Sequence, residues 1–147
     1  MVIAIGKKGV NIERKTALEH IFGYAVGFDM IRRDIMQDCI ANEHSWDLCK
    51  SFAGASPVGE IAPVADIGHP TDGEISLKVN GEIRQSGDIS AMIWDTAEII
   101  SRLSHYGALK PGDIIFSGTP KGPKPVNKGD LLEGYITGVG TLSVKIK

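Results

Sequence analysis

The segment with the strongest chemical signal carries a carboxylate at the end of a short apolar run. Gly23 and Gly27 punctuate the run, Asp29 closes it, and Arg32 and Arg33 follow almost at once. Two adjacent arginines stabilise an ionised carboxylate, which then either binds a hard cation such as Mg²⁺ or forms an ion pair. A solvated carboxylate at a strand end is the default interpretation of Asp29, and a metal ligand is the alternative.

A lysine embedded among apolar residues is the second candidate. Lys50 lies within residues 46–52, and a loop containing glycine and proline follows. Such a lysine can supply a cation to a binding site. Alternatively, its stem lies along a half-buried strand while the ammonium group reaches water. The residues alone leave both interpretations open.

A third candidate is the loop that follows the apolar segment 113–116. It contains Ser117, Gly118, Thr119 and Pro120. The backbone N–H groups of such a loop, with the hydroxyl of Thr119, can bind a carboxylate or a phosphate. An ordinary β-turn is the alternative. The spacing of a Walker motif is absent, so the loop does not predict nucleotide binding.

Composition indicates an ordinary globular chain around these residues. The 147 residues predict one domain, and 42% apolar and 23% charged residues are typical values. The net charge of −2 gives no electrostatic reason to expect nucleic acid as a partner. No apolar run approaches the ~20 residues that cross a membrane, so no membrane partner is predicted. Cys39 and Cys49 lack the spacing of a zinc motif or a disulfide framework, which favours a reducing cytoplasm.

Periodicity and turn residues predict a mixed α+β fold that is rich in strands. Helices are predicted over residues 13–22, 32–41 and 90–105. One strand should end at Asp29, and a hairpin should turn at Asn80-Gly81. Further strands are predicted at residues 1–5, 113–116, 131–137 and 142–146.

Several short motifs follow one another in order through nearly the whole chain. They are Ile5-Gly6-Lys7-Lys8-Gly9, Gly23-Tyr24-Ala25-Val26-Gly27 with Asp29, Arg32-Arg33-Asp34, Trp46 with Lys50-Ser51-Phe52, Pro57-Val58-Gly59, Val79-Asn80-Gly81-Glu82 with Arg84-Gln85, Leu109-Lys110-Pro111-Gly112-Asp113, Ser117-Gly118-Thr119-Pro120 and Gly138-Val139-Gly140-Thr141-Leu142. Together they resemble the fumarylacetoacetate hydrolase family, particularly its bacterial fumarylpyruvate-hydrolase-like branch.

The resemblance implies a fold, a cofactor and a reaction class. The fold would be the β-sandwich or roll of the family's C-terminal domain, with two or three helices, and it usually dimerises. The cofactor would be Mg²⁺, Mn²⁺ or Ca²⁺. Family members cleave C–C bonds in acylpyruvate-type substrates, or decarboxylate or isomerise related oxo acids.

The resemblance also implies roles for individual residues. Asp29 matches the family's metal-binding aspartate, and Arg33 matches the arginine that stabilises the substrate oxyanion. Lys50 matches the active-site lysine near the metal. Thr119, with Gly118 beside it, matches the threonine that holds a substrate carboxylate. A diketo acid chelating the metal while water attacks its other carbonyl fits these roles.

The family pattern places other functional groups upstream of Met1. Its Glu-x-Glu metal ligands align just before Met1, and its catalytic His/Glu pair would lie further upstream. Within the sequence, Met36 stands where a substrate-contacting Gln is usual, Ile31 replaces a small hydroxyl residue, and Lys124 replaces Gly. One aspartate holds Mg²⁺ weakly when all the other ligands are water. We therefore expect a domain that is N-terminally incomplete, holds its metal weakly and turns over slowly or not at all.

The predicted function is metal-dependent hydrolysis of a C–C bond in a fumarylpyruvate-like 2,4-dioxo acid. Oxaloacetate decarboxylation or oxo-acid tautomerisation is the alternative within the family. A non-catalytic remnant that acts as a scaffold or partner subunit is the alternative outside it. A strand starting at Met1 should also leave an unpaired edge, and unpaired edges attract other chains. This predicts a homodimer or a higher oligomer.

Overall fold

The computed structural model describes residues 1–147 and contains two antiparallel four-stranded sheets. The first sheet consists of β1 (Val2–Ile5), β2 (Ile21–Ala25), β3 (Ala62–Pro63) and β6 (Ile114–Phe116), in the order β3-β2-β1-β6. The second consists of β4 (Glu74–Val79), β5 (Glu82–Asp88), β7 (Leu131–Ile136) and β8 (Gly140–Lys145), in the order β5-β4-β7-β8.

Two α-helices exceed one turn, namely α1 (Arg33–Ala41) and α4 (Thr96–Tyr106). The single turns α2 (Asp47–Lys50) and α3 (Val64–Ile67) and two 3₁₀ segments (Arg14–His20 and Ile89–Ala91) complete the helical structure. None of these helices is long and apolar enough to cross a membrane. The predicted mixed α+β, β-rich class is confirmed.

Two predicted helix boundaries are wrong for local reasons. Ile21 belongs to β2 and pairs with Ile5, so the segment predicted as a helix over residues 13–22 ends as a 3₁₀ turn at His20. The helix predicted from Ser90 begins instead at Thr96. Its cap is the side chain of Asp95, which accepts a hydrogen bond from the backbone N–H of Glu98 at 2.8 Å.

Side chains from both sheets and from α4 share one buried apolar cluster. Ile3 of β1, Tyr24 of β2, Ile100 of α4 and Ile136 of β7 are all at most 1% exposed within it. A fully buried aliphatic or aromatic side chain of this size contributes about 1.5–3 kcal/mol to folding. The cluster therefore holds the two sheets and α4 in a fixed relation.

The predicted unpaired edge at the first strand does not exist. β1 lies inside its sheet, because Val2 pairs with Ala25 on one side and with Phe116 on the other. The carbonyl of Met1 also accepts hydrogen bonds from the backbone N–H and hydroxyl of Ser117, at 3.0 and 2.9 Å. This strand therefore gives no reason to expect self-association, and the prediction of an unpaired edge is wrong.

The β4–β5 hairpin combines the predicted turn with an irregularity that local patterns did not predict. Asn80 and Gly81 have φ values of 52° and 82°, which suit the type I′ turn. Further along, Leu77 pairs with Gln85 while Lys78 pairs with Ile83, so Arg84 is an extra residue in β5. Such a β-bulge redirects side chains, and this one adjoins the candidate site.

Candidate active site

Asp29 lies in an extended segment held by three backbone hydrogen bonds to residues 49–57. The N–H groups of Phe28, Met30 and Arg32 donate to the carbonyls of Pro57, Ala55 and Cys49, at 3.0, 2.8 and 3.1 Å. Asp29 lies after β2, which ends at Ala25, rather than at the end of the strand itself. Its position is therefore set by a second chain segment.

A glycine allows this segment to lie close to the second sheet. A Cβ atom on Gly134 of β7 would come within 2.7 Å of the Phe28 ring and 2.8 Å of Val26. Phe28 itself packs in a small buried cluster with Val79 and Leu132. Close packing of Phe28 on β7 thus anchors the residue next to Asp29.

Lys50 forms an ion pair with Asp29. Its ammonium group contacts Asp29 Oδ1, and the two side chains are 38% and 53% exposed. Lys50 ends the single turn α2 rather than lying in a strand, and its neighbour Cys49 is fully buried. Two interpretations from the sequence, Lys50 as a cation of the site and Asp29 as a member of an ion pair, thus describe the same contact.

Arg33 is the first residue of α1, and its side chain faces the loop around Pro123. Its Nη2 donates to the Pro123 carbonyl at 3.5 Å, which is a long hydrogen bond. The adjacent Arg32 is held differently, because its guanidinium lies 4.4 Å from the centre of the Phe52 ring. A cation–π contact of this kind orients Arg32. The Arg33 guanidinium retains donors that no protein group occupies.

Gly118 and Thr119 lie in the loop that leaves β6. Gly118 has a φ of 104°, a conformation that favours glycine, so the chain bends there. Thr119 follows in an exposed position, and its hydroxyl oxygen accepts a hydrogen bond from Gln85 Nε2 at 3.0 Å. The same Nε2 donates to the carbonyl of Pro120 at 2.6 Å. The loop is therefore tied to β5.

One cavity of about 470 Å³ brings four of the predicted residues together. Asp29, Arg33, Gly118 and Thr119 all line it. Lys50 does not line it and reaches the site only through its contact with Asp29. The remaining charged residues along the wall are Arg32, Asp34, Arg84 and Lys124. Four cations against two carboxylates make the cavity attractive to an anion.

Gln85 and Arg84 are cavity residues whose importance the local patterns did not predict. Both line the cavity, and the β-bulge at Arg84 lies at this point of β5. The only sequence signal was their place in the family motif Val79-Asn80-Gly81-Glu82 with Arg84-Gln85.

Residues 1–147 do not by themselves build a metal site. No group of three His, Cys, Asp or Glu side chains lies close enough to hold a metal ion. Asp29 supplies one carboxylate, and that carboxylate is neutralised by Lys50. Ca²⁺ and Mg²⁺ need six or more oxygen ligands, so this donor set does not fit a tightly held ion.

Comparison with known proteins identifies the family. The model of the fumarylacetoacetate (FAA) hydrolase C-terminal family matches residues 1–147. The mitochondrial oxaloacetate tautomerase of Mus musculus is 39% identical over 145 residues, which cover 99% of this chain and 66% of that protein. The fumarylpyruvate hydrolase of a Ralstonia species is 38% identical over 146 residues, which cover 99% of this chain and 76% of that protein.

Solved structures agree in fold. Fumarylpyruvate hydrolase from Pseudomonas aeruginosa, in complex with Mn²⁺ and pyruvate, superposes with a TM-score of 0.95 at 44% identity, covering 99% of this chain and 62% of that one. Fumarylacetoacetate hydrolase from Exiguobacterium antarcticum gives a TM-score of 0.90 at 33% identity, covering 99% and 54%. The chain thus spans about two thirds or less of the length of most of these relatives. The predicted fold of the family's C-terminal domain is confirmed, and the chain belongs to the fumarylacetoacetate hydrolase family.

Proposed function

We propose that this chain forms the oxo-acid-binding part of an enzyme that hydrolyses a C–C bond in a fumarylpyruvate-like or acylpyruvate-like 2,4-dioxo acid. The cavity shared by Asp29, Arg33, Gly118 and Thr119 is the observation that carries the proposal. Its volume suits a small molecule, and its excess of cations suits a carboxylate. The relative solved with pyruvate supports the substrate class.

Each residue of the site has a role that follows from its charge or its hydrogen-bonding groups. The Thr119 hydroxyl and the backbone around Gly118 bind the substrate carboxylate. As water adds to the acyl carbonyl, its oxygen becomes an oxyanion, which the free donors of Arg33 stabilise. The oxyanion then collapses, the C–C bond breaks, and its electron pair leaves on the pyruvate fragment as an enolate that takes up a proton. Lys50 pairs with the Asp29 carboxylate and supplies a positive charge at the edge of the site.

Only aspartates are available in this cavity for the proton transfers. No histidine or glutamate lines it, and its two carboxylates are Asp29 and Asp34. A divalent metal, Mg²⁺, Mn²⁺ or Ca²⁺, is proposed as the cofactor because the Pseudomonas relative contains Mn²⁺. With a single paired carboxylate available, residues 1–147 alone should hold that metal weakly.

Tautomerisation of oxaloacetate is the second candidate function, favoured by the mouse relative of that name. It shares the chemistry of a stabilised enolate beside a carboxylate, so the same cavity could serve it. Decarboxylation uses the same enolate. A scaffold or partner subunit without activity is the third candidate.

A direct assay separates these candidates. The protein is given Mn²⁺ with fumarylpyruvate in one reaction and with oxaloacetate in another, and absorbance follows loss of the substrate or its enol. Hydrolysis predicts fumarate together with pyruvate from fumarylpyruvate, and tautomerisation predicts faster enol–keto exchange of oxaloacetate. Decarboxylation predicts release of CO₂ from oxaloacetate faster than with Mn²⁺ alone. A Thr119→Val variant should lose most of either activity. The matched Thr71→Val variant, outside the cavity, should keep it. Activity unaffected by Thr119→Val would contradict the proposed site.

Self-association and a reducing compartment are proposed separately. We infer a homodimer, formed through the exposed apolar face of α4 and the loop before it. The two cysteines are free and buried, which supports a reducing compartment such as the cytoplasm.

A further inference from the structure

Gln85 is the protein group that holds the Thr119 side chain. Its Nε2 donates to Thr119 Oγ1 at 3.0 Å and to the Pro120 carbonyl at 2.6 Å. A carbonyl oxygen only accepts, so the Pro120 contact identifies the NH₂ side of the Gln85 amide. The Gln85 amide therefore acts toward this loop as a donor.

This arrangement sets the direction of the Thr119 hydroxyl. A hydroxyl carries one hydrogen and two acceptor lone pairs. Because the Gln85 NH₂ occupies a lone pair, the Thr119 hydrogen must point elsewhere, and no protein acceptor receives it. A carboxylate offers only acceptors, so a carboxylate in the cavity matches that free hydrogen.

The arrangement lies beside the bulge in β5. Gln85 still pairs with Leu77, while the extra residue Arg84 shifts the register toward Ile83. Arg84 and Gln85 both line the cavity, Arg84 as a cation and Gln85 as the group that donates to Thr119.

We propose that Gln85 is a positioning residue that orients the Thr119 hydroxyl as a hydrogen-bond donor to the substrate carboxylate. The inference rests on the proposed role of Thr119 as a carboxylate ligand. It assigns to Gln85 a selective effect, because a correctly directed donor favours an anionic carboxylate over a neutral group of the same shape. Gln85 thus contributes to specificity through the Thr119 hydroxyl.

The test measures binding of pyruvate and of its uncharged amide, pyruvamide, to the whole chain with Mn²⁺, by titration calorimetry. The variants are Thr119→Val, Gln85→Leu, the double variant and Gln85→Glu. Gln37→Leu, at the other glutamine, which is exposed and outside the cavity, is the matched control. Melting temperatures report any loss of fold, and the Thr119 methyl resonance of the ligand-free protein reports the contact directly.

We expect Thr119→Val and Gln85→Leu each to weaken pyruvate binding about tenfold, the value of one charge-assisted hydrogen bond. Because Gln85 acts through Thr119, the double variant should bind no more weakly than Thr119→Val alone. Gln85→Glu should weaken pyruvate binding at least as much as Gln85→Leu does, since the new carboxylate accepts the Thr119 hydrogen. Pyruvamide binding should change less than twofold, and the Thr119 methyl resonance should move in Gln85→Leu but not in Gln37→Leu.

The outcomes separate this inference from the proposed function. Pyruvate binding that survives Thr119→Val, or is absent from the unaltered protein, overturns the proposed site and the inference with it. Loss in Thr119→Val without loss in Gln85→Leu overturns the inference alone. So do additive losses in the double variant, or equal losses for pyruvate and pyruvamide, which would indicate a merely structural role for Gln85.

Discussion

At the scale of single residues, the ion pair of Asp29 and Lys50 contributes little to the stability of the fold, and its carboxylate can change partners. Both side chains are partly exposed, and ion pairs in such positions contribute about 0–1 kcal/mol to folding. The backbone hydrogen bonds of Phe28 and Met30 hold the segment regardless of the Asp29 charge. The carboxylate is therefore available to exchange Lys50 for another cation.

This predicts that Asp29→Asn removes cation binding while leaving the fold intact. The free energy of unfolding should change by less than about 1 kcal/mol, because the pair is partly solvated. Whatever Mn²⁺ affinity the protein has should disappear, because a neutral amide is a poorer ligand than a carboxylate. Titration calorimetry with Mn²⁺ and chemical denaturation measure the two quantities.

Asp38→Asn is the matched control for this prediction. Asp38 lies on α1 outside the cavity, so its replacement should leave Mn²⁺ binding unchanged. Equal Mn²⁺ affinity in Asp29→Asn and the unaltered protein would remove Asp29 from the metal site.

The residue types of the site could be predicted from sequence, but their convergence could not. Asp29, Arg33 and Thr119 stand out by motif, and the structure brings them to one cavity. Gln85 could not be identified as the partner of Thr119, because 34 residues separate them and no local pattern records that contact. The pairing of Lys50 with Asp29, across 21 residues, is of the same kind. The proposed roles of these residues stay predictions.

At the scale of elements, local signals worked where one segment determines its own conformation. The Asn80-Gly81 turn formed as predicted, and α1 begins within one residue of its predicted start. The signals failed where a distant segment decides. Ile21 joins a strand because β1 lies beside it, and the bulge at Arg84 depends on the partner strand β4. Tertiary pairing overrides helical periodicity in such cases.

The elements are also secured by carboxylates that accept local hydrogen bonds. The backbone N–H of Glu98, with help from Arg14, lowers the pKa of Asp95, the cap of α4. The hydroxyl and backbone N–H of Ser90 lower the pKa of Asp88. The backbone N–H of Asn127 and the amide of Asn80 lower the pKa of Asp130. The pKa of each of these carboxyl groups is lower in the folded chain than the ordinary aspartate value of 3.8.

These shifts predict that the protein loses stability in acid. A carboxyl group whose pKa is lower in the folded state stabilises the fold at pH values above its unfolded pKa. That contribution is lost as the pH falls through the folded pKa. At pH values below about 4, the melting temperature should therefore decrease. At pH 7, Asp95→Ala should lower the free energy of unfolding by about 1 kcal/mol, because the helix cap is lost.

Thermal denaturation of Asp95→Ala at several pH values checks this expectation. The difference from the unaltered protein should shrink as the pH falls below the ordinary aspartate pKa of 3.8 and Asp95 takes up a proton, which weakens its cap. Asp66→Ala, an exposed aspartate on α3 without a side-chain hydrogen bond, should behave like the unaltered protein. A stability difference independent of pH would show that the charge of Asp95 contributes nothing.

At the scale of the whole molecule, the surface over α4 carries the two most exposed of the large hydrophobic side chains. Ile93 and Tyr106 are 96% and 92% exposed, and Trp94 and Leu103 are partly exposed beside them. All four line a broad groove of about 1330 Å³, which also reaches Gly118 and Thr119. Large exposed apolar patches of this kind mark interaction surfaces. The groove thus adjoins the substrate-binding loop.

A second copy of this chain is the occupant that the charges of the groove favour. Asp88 and Glu98 supply negative charge to it, and Arg102 and Lys121 supply positive charge. A two-fold interface brings one patch against itself, and charges of both signs on the same patch are compatible with that arrangement. The edges of the first sheet are weaker candidates, since its outer strands β3 and β6 have only two and three residues.

We therefore expect a dimer that depends on the α4 face. Light scattering coupled to size exclusion should give twice the mass of one chain at high concentration. Ile93→Glu with Tyr106→Glu should give the monomer mass, because two charges would face their own copies in an apolar interface. Ile83→Glu, at an apolar residue 64% exposed on β5 and outside the groove, should leave the dimer intact. A monodisperse monomer from the unaltered protein, or a dimer that survives the double substitution, would exclude this interface.

A dimer should also alter access to Thr119, because the groove reaches that residue. The monomeric variant should therefore bind pyruvate with changed affinity, while Ile83→Glu should leave the affinity unchanged.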